Sequence, residues 1–184
     1  MFKIIRRKLH NYQVKKAISK WKISSDNPIK IEGTIPDILN HGTLVIGQQV
    51  TFRSYRLNHR VRVLPEAQLK IGDKTFLNDA VTICATKNIS IGKYNKIGDQ
   101  VHIYDSDFHE VTPISGVLQE SIVIGDNVWI GAKSMILAGT RIGNNSVIAA
   151  GSVVKGEIPA NCVAAGAPAK VLKYFDVPDG WIRK

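Results

Sequence analysis

Cysteine is scarce in this sequence: Cys84 and Cys162 are the only two among 184 residues. Two thiols cannot supply a disulfide framework or a cysteine zinc site, and both are expected to fill small positions in a β wall. No apolar run is long enough to cross a bilayer, and the amino terminus lacks the continuous apolar segment and small-residue cleavage site of a secretory signal. A cytoplasmic protein is the expectation. Acidic residues are absent before Asp26, whereas Lys3, Arg6, Arg7, Lys8, Lys15, Lys16, Lys20 and Lys22 precede it. The net charge of +10 is thus partly gathered at one end. With no nucleic-acid module in the chain, it points instead to anionic partners such as nucleotide phosphates or a lipid-linked substrate.

Against these absences stands a metre. Ile124, Ile130, Ile136, Ile142, Ile148 and Val154 recur at every sixth position, and four residues after each comes Val128, Ser134, Thr140, Ser146, Ser152 or Ile158. Small residues (Gly125, Gly131, Gly143, Ala149) often follow directly. Six fits an α-helix poorly but holds three alternations of a strand. Hairpin signals such as Asn-Gly are missing from the run, so the spacing predicts a coil that turns a corner after each hexad, with Gly or Ala easing the bend. Such coils gain stability only by stacking on one another.

The six hexads, Val128-Trp129-Ile130-Gly131, Ala149-Ala150-Gly151-Ser152-Val153-Val154 and the exit from Ile158-Pro159-Ala160-Asn161 to Ala165-Gly166-Ala167-Pro168-Ala169-Lys170 resemble the hexapeptide-repeat acyltransferases. That resemblance, to the sugar O-acetyltransferases in particular, implies an all-β, left-handed parallel β-helix; the hand comes from the family and not from the spacing. It also implies acetyl-CoA as acyl donor with no metal required, a homotrimer whose neighbouring subunits build each site, and a sugar or saccharide acceptor in capsular, exopolysaccharide or lipopolysaccharide synthesis.

Three stretches are expected. Residues 1–26 form a basic amphipathic arm, with Phe2, Ile5, Leu9 and Tyr12, then Val14, Ala17, Ile18 and Trp21, at helical spacing. The arm either lies on an anionic membrane surface or is packed on the solenoid. Residues 27–168 form the β-helix, irregular between Ile29 and Leu69, with an excursion loop at about 105–121 marked by Pro113 and Gly116. Residues 169–184 form a short helix from Ala169 to about Phe175 and a tail, VPDGWIRK, without readable pattern.

An excursion from a uniform solenoid is where function collects. Transfer to a hydroxyl needs a base near neutral pH, and imidazole has the nearest ordinary pKa. His109, at the mouth of the loop, matches the family's base. Asp105, Asp107 and Glu110 are candidates to orient it, with Asp107 preferred. The resemblance carries over Asn78 as a residue that positions the acceptor or thioester, and Ala132 as the backbone N–H that stabilises the oxyanion. Trp129, Ala132 and Ala150 are expected along the pantetheine arm, with Lys155 and Lys170 near its phosphates. The chain departs from the family at Lys155-Gly156-Glu157 and in having lysine at 170. Arg53, Arg56, Arg60 and Arg62, with Tyr55 and His59, form a further basic cluster. Amino-sugar N-acetylation is the nearest alternative. A zinc enzyme of γ-carbonic-anhydrase type, using His59, His102 and His109, and a non-catalytic scaffold are the other readings.

Overall fold

A computed structural model describes residues 12–24 and 29–183. Its strands fall into three sheets of seven, eight and six, and the chain visits them in rotation as far as Cys162–Gly166, so that about six turns wind around one prism. The first face holds Ile23–Ser24, Thr43–Ile46, Gln68–Ile71, Asn88–Ile91, Ile122–Ile124, Arg141–Ile142 and Glu157–Ile158. The second holds Lys30–Gly33, Thr51–Ser54, Phe76–Leu77, Lys96–Ile97, Trp129–Ile130, Val147–Ile148, Cys162–Gly166 and Ala169–Tyr174. The third holds Asp37–Asn40, Arg60–Val63, Thr82–Ala85, His102–Tyr104, Met135–Ile136 and Val153–Val154. Every pairing between coils is parallel, which is the parallel β-helix expected, in an arrangement consistent with the left-handed winding.

The hexad explains the interior. Ile124, Ile130, Ile136, Ile148 and Val154 are all but sealed from solvent, and such side chains contribute roughly 1.5–3 kcal/mol each. The hydroxyls four residues later are buried too, and each bonds a corner carbonyl: Ser134 Oγ donates to Ala149 O (3.0 Å), Thr140 Oγ1 to Val154 O (3.0 Å) and Ser152 Oγ to Ala149 O (2.7 Å). Buried polar groups are thereby satisfied, Ser134 and Thr140 between coils and Ser152 within its own corner.

Several details differ from the sequence reading. The small residue after each isoleucine is not where the backbone turns left-handed; that occurs two residues further on, at Asn127, Lys133, Asn145 and Gly151. A Cβ on Gly131 would instead run into the Ala150 backbone, and one on Gly98 would stand 2.7 Å from Ala132 N. These residues are small because coils stack closely. Ile158, read as the fifth residue of its hexad, lies in register with Ile142, because the corner at Lys155-Gly156 is shorter. The coils before Leu69, expected to be irregular, have four-residue strands in regular parallel register, with Leu44 beside Leu69; only the corner at residues 55–59 is longer than those of the later coils outside the excursion loop. The expected helix from Ala169 is a strand. Ala169–Tyr174 pairs antiparallel with Cys162–Gly166, because the last coil leaves an open row of backbone donors and acceptors that a returning strand satisfies and a helix would not.

A helix over 12–20 precedes Trp21, which is 4% exposed at the open end of the prism. Val14, Ala17 and Ile18 are half-buried while Lys15, Lys16 and Lys20 are exposed, the pattern of a helix packed on a core. The rest of the basic arm, with Phe2, Ile5 and Leu9, and the boundary at Asp26-Asn27-Pro28 lie outside the described residues. Among the described residues no helix is long and apolar enough to cross a membrane.

His59 closes the long corner at residues 55–59, 1% exposed, its Nε2 donating to Arg53 O at 2.8 Å and its ring edge-on to Phe52. Burial pushes the imidazole below its ordinary value of 6.5. The folded chain then resists a proton that the unfolded chain accepts, so stability falls as pH drops below 6.5 and keeps falling until the folded value is reached. Thermal melts across this window are expected to show that loss in the wild type and a flatter profile in His59→Gln; equal slopes would remove His59 from the account.

Candidate active site

The sequence-derived candidates divide between two edges of the prism. Asn78, Gly98, Gly131 and Ala149 each follow a second-face strand, so they stack along the edge between the second and third faces. Asn78 N donates to Ile97 O at 2.9 Å, Gly98 N to Ile130 O at 2.8 Å and Gly131 N to Ile148 O at 2.8 Å, which fixes the stack. Ala132 and Ala150 are the next residues on the same edge, and Lys170 reaches its far end by pairing with Ala165. Lys155 follows Val154 on the third face and therefore lies on the edge between the third and first faces. So does the excursion loop. Within one chain the structure brings Asn78, Ala132, Ala150 and Lys170 to one edge, and Lys155 and His109 to another.

The edges differ chemically. Between the first and second faces, the N–H that follows the small corner residue is capped by a side chain from the next coil at Gln48 (N to Asp73 Oδ1, 2.9 Å), Lys93 (N to Asp126 Oδ1, 2.7 Å) and Asp126 (N to Asn144 Oδ1, 2.8 Å), whereas Asp73 N and Asn144 N make no hydrogen bond among the described residues. On the edge beside Asn78, Asp79 Oδ1 caps Tyr55 N in the same way (2.5 Å), but further along the equivalent residues are Ala132 and Ala150, whose side chains have no acceptor to offer. The N–H groups of Ala132 and Ala150 make no hydrogen bond among the described residues. A polar ligand lying along this stretch of the edge would meet free backbone donors on successive coils.

The loop has a rigid neck. Asp105, fully buried, accepts through Oδ1 from Thr86 N (2.7 Å) and Thr86 Oγ1 (2.9 Å), and through Oδ2 from Lys87 N (2.9 Å). Asp107 N donates to Leu118 O at 3.1 Å and Glu120 N to Asp105 O at 3.0 Å, while Ser106 bridges Gln119. Phe108, in the left-handed region at φ 60°, turns the chain outward and stands edge-on to Tyr104. His109 emerges just beyond, exposed and without a hydrogen bond among the described residues. Asp105 is therefore occupied in holding the loop, whereas the half-buried Asp107 and the exposed Glu110 have carboxylates without a described partner. Phe108, Val111, Ile114 and Val117 are exposed apolar residues on the same loop.

Two cavities flank the Asn78 edge. One, on the second face, has a volume of about 330 Å³ and is lined by Phe76, Asn78, Lys96, Ile97, Gly98, Trp129 and Arg183. The other, on the third face, is lined by residues that include Arg60, Gln100, His102, Lys133 and Met135. Phe76, Lys96 and Arg183 escaped the sequence reading; the first two occupy outward strand positions like any other, and Arg183 is 54 residues from Trp129 in the chain. Of the arginine cluster, Arg53 pairs with Glu32 and Arg62 with Asp37, and Arg60 alone of the four lines a cavity described here. Cys162 is sealed in the core, and Cys84 is half-buried on the third face, where burial pushes its thiol up, away from the nucleophilic thiolate. Among the described residues no three His, Cys, Asp or Glu side chains gather as a metal site would require.

Comparison with known proteins completes the picture. The family model for bacterial transferase hexapeptide (six repeats) matches residues 121–156. A chain of Escherichia coli K12 named as a lipopolysaccharide biosynthesis O-acetyl transferase, WbbJ, is 33% identical over 151 residues, covering 76% of each chain. The galactoside O-acetyltransferase of the same organism is 35% identical over 127 residues, 69% of this chain, which spans only 54% of that relative's length. Among solved structures, a hexapeptide-repeat acetyltransferase of Vibrio cholerae complexed with acetyl coenzyme A superposes with a TM-score of 0.62 at 29% identity, over 71% of this chain and 70% of the other. A maltose O-acetyltransferase from Clostridium difficile 630 gives 0.61 at 29% identity, over 90% and 77%. With its parallel solenoid, its hexads and these relatives, the chain belongs to the hexapeptide-repeat acyltransferases.

Proposed function

We propose that the protein transfers an acetyl group from acetyl-CoA to a hydroxyl of a saccharide acceptor, in the assembly of a capsular, extracellular or lipopolysaccharide glycan. The observation that carries the reading is a pair of free backbone donors, Ala132 N and Ala150 N, on successive coils of one edge, beside Asn78 and leading to Lys170. A long, thin pantetheine arm suits such a row, and the Vibrio relative with acetyl coenzyme A supports that choice of donor. The O-acetylating relatives support a hydroxyl acceptor over an amine.

In this mechanism His109 takes the proton of the acceptor hydroxyl as that oxygen attacks the thioester carbonyl. The tetrahedral oxyanion is held by the Ala132 N–H, Asn78 orients the acceptor, and collapse expels the CoA thiolate, which recovers the proton from the imidazolium. Asp107 steadies the imidazole through its other nitrogen. No covalent enzyme intermediate is required. Because His109 and Lys155 lie on one edge and Asn78, Ala132, Ala150 and Lys170 on another, the mechanism needs two chains to complete one site. The exposed apolar side chains of the His109 loop supply a surface for that contact, and a closed homotrimer satisfies it for every copy.

Calorimetric titration with acetyl-CoA tests the donor assignment without knowledge of the acceptor. Wild type and His109→Ala are expected to bind alike, and Lys155→Ala with Lys170→Ala to bind about tenfold or more weakly, as loss of charged contacts to phosphate would produce. Absence of binding by the wild type at millimolar ligand would sink the reading.

A further inference from the structure

The carboxyl-terminal segment, unreadable in sequence, is a strap. After Tyr174 the chain doubles back along the coils: Phe175 N donates to Asn161 O (2.9 Å), Arg183 Nη2 to Asn145 O (2.9 Å) and Arg183 N to Asn127 Oδ1 (2.8 Å), while Asn127 Nδ2 donates to Trp181 O (3.1 Å). The three asparagines are themselves linked, Asn127 Nδ2 to Asn145 Oδ1 and Asn145 Nδ2 to Asn161 Oδ1, both at 2.8 Å. The strap thus rests on a ladder that spans three coils. It delivers Arg183 to the second-face cavity, its guanidinium 4.8 Å from the Trp181 ring and 6.0 Å from that of Trp129.

Resting on the transferase reading, we propose that this cavity is a subsite for an anionic acceptor, a sugar ring bearing a carboxylate or phosphate, and that Arg183 and Lys96 select for the charge. Arg183 Nε is buried with no acceptor among the described residues, a donor that a bound anion would satisfy. Neither Arg183 nor Lys96 pairs with a described carboxylate, unlike Arg53 and Arg62 around the same prism. Phe76 and Trp129 line the same space, with Arg53 and Lys96 over the Phe76 ring and Arg183 over that of Trp129, so a ligand there meets aromatic and cationic groups together, and about 330 Å³ is room for a pyranose. Asn78 forms the end of the cavity that meets the edge of Ala132 and Ala150, so a ring seated here holds its hydroxyl toward the reacting carbonyl. Phosphates of CoA are the other source of anionic charge; Lys170 lies toward the edge with the third face, whereas Arg183 reaches the cavity from the Asn127 and Asn145 corners on the edge with the first face.

The test is titration of wild type, Arg183→Gln, Arg183→Lys and Lys96→Gln with glucuronic acid, glucose 6-phosphate, glucose and, separately, acetyl-CoA, followed by calorimetry. The wild type is expected to bind the anionic sugars about tenfold or more tightly than glucose. Arg183→Gln should erase that preference, Arg183→Lys should retain part of it, and acetyl-CoA affinity should stay within about twofold in all four proteins. Melting temperatures report whether the strap stays docked, and the lysine variant keeps the test decisive if the glutamine variant loosens it. Equal affinity for glucose and its anionic counterparts, a preference that survives both charge removals, or no binding of any sugar would overturn the proposal. So would selective loss of acetyl-CoA affinity in Arg183→Gln, which would assign these cations to the donor. Failure of the wild type to bind acetyl-CoA while the sugar preference remains would instead strike the transferase reading.

Discussion

Replacement of His109 by alanine is expected to lower kcat by about two to four orders of magnitude, the usual worth of a positioned general base, with acetyl-CoA affinity and melting temperature unchanged. The side chain is exposed and makes no hydrogen bond among the described residues, so its removal costs the fold little. A residual rate above a tenth of the wild-type value would dismiss it as the base. The same variant tests the two-edge site. If His109 of one copy works with Asn78 of another, then His109→Ala and Asn78→Ala chains refolded together at equal amounts will pair intact groups at about a quarter of their sites. If both residues act within one chain, each chain lacks one of them and mixing recovers nothing.

Asp105→Ala is expected to have the largest effect on stability. It removes a fully buried carboxylate that accepts three hydrogen bonds and leaves Thr86 N and Lys87 N without their acceptor, a loss on the order of 3 kcal/mol. For a chain of this size that is a fall of roughly 6–12 °C in melting temperature. Activity should fall with it, since the neck that aims His109 depends on the Asp105 carbonyl as well as its carboxylate. Asp107→Asn, two residues on, should behave oppositely, losing about tenfold in kcat with an unaltered melting curve. Matching stability losses in the two variants would refute this division of roles.

That division was illegible in sequence, where Asp105, Asp107 and Glu110 are equivalent neighbours of a histidine. What separates them is contact with Thr86 and Lys87, one coil away, and the length of a corner decides which residues meet across coils. The wall of the solenoid was legible because it repeats: Ile124, Ile130 and Ile136 face one interior, and their spacing alone requires a turn after each. The segment Ala169–Tyr174 misled because Ala169, Val171 and Leu172 suit either a helical or an extended period over so few residues. Its partner strand settles the choice. Arg183 was hidden for a related reason. Its position depends on Asn127, Asn145 and Asn161, each at an ordinary corner, and nothing local in the tail announces a ladder that distant asparagines build.

A parallel solenoid has no internal reason to stop, since each completed turn is a template for another. The antiparallel strand Ala169–Tyr174 supplies one: laid against Cys162–Gly166, it reverses the polarity of the last rung on one of the three faces. A second molecule arriving end-on can no longer continue all three sheets in the parallel sense. The short return therefore acts as a chain terminator, keeping a fold that could grow as a filament to a particle of fixed length.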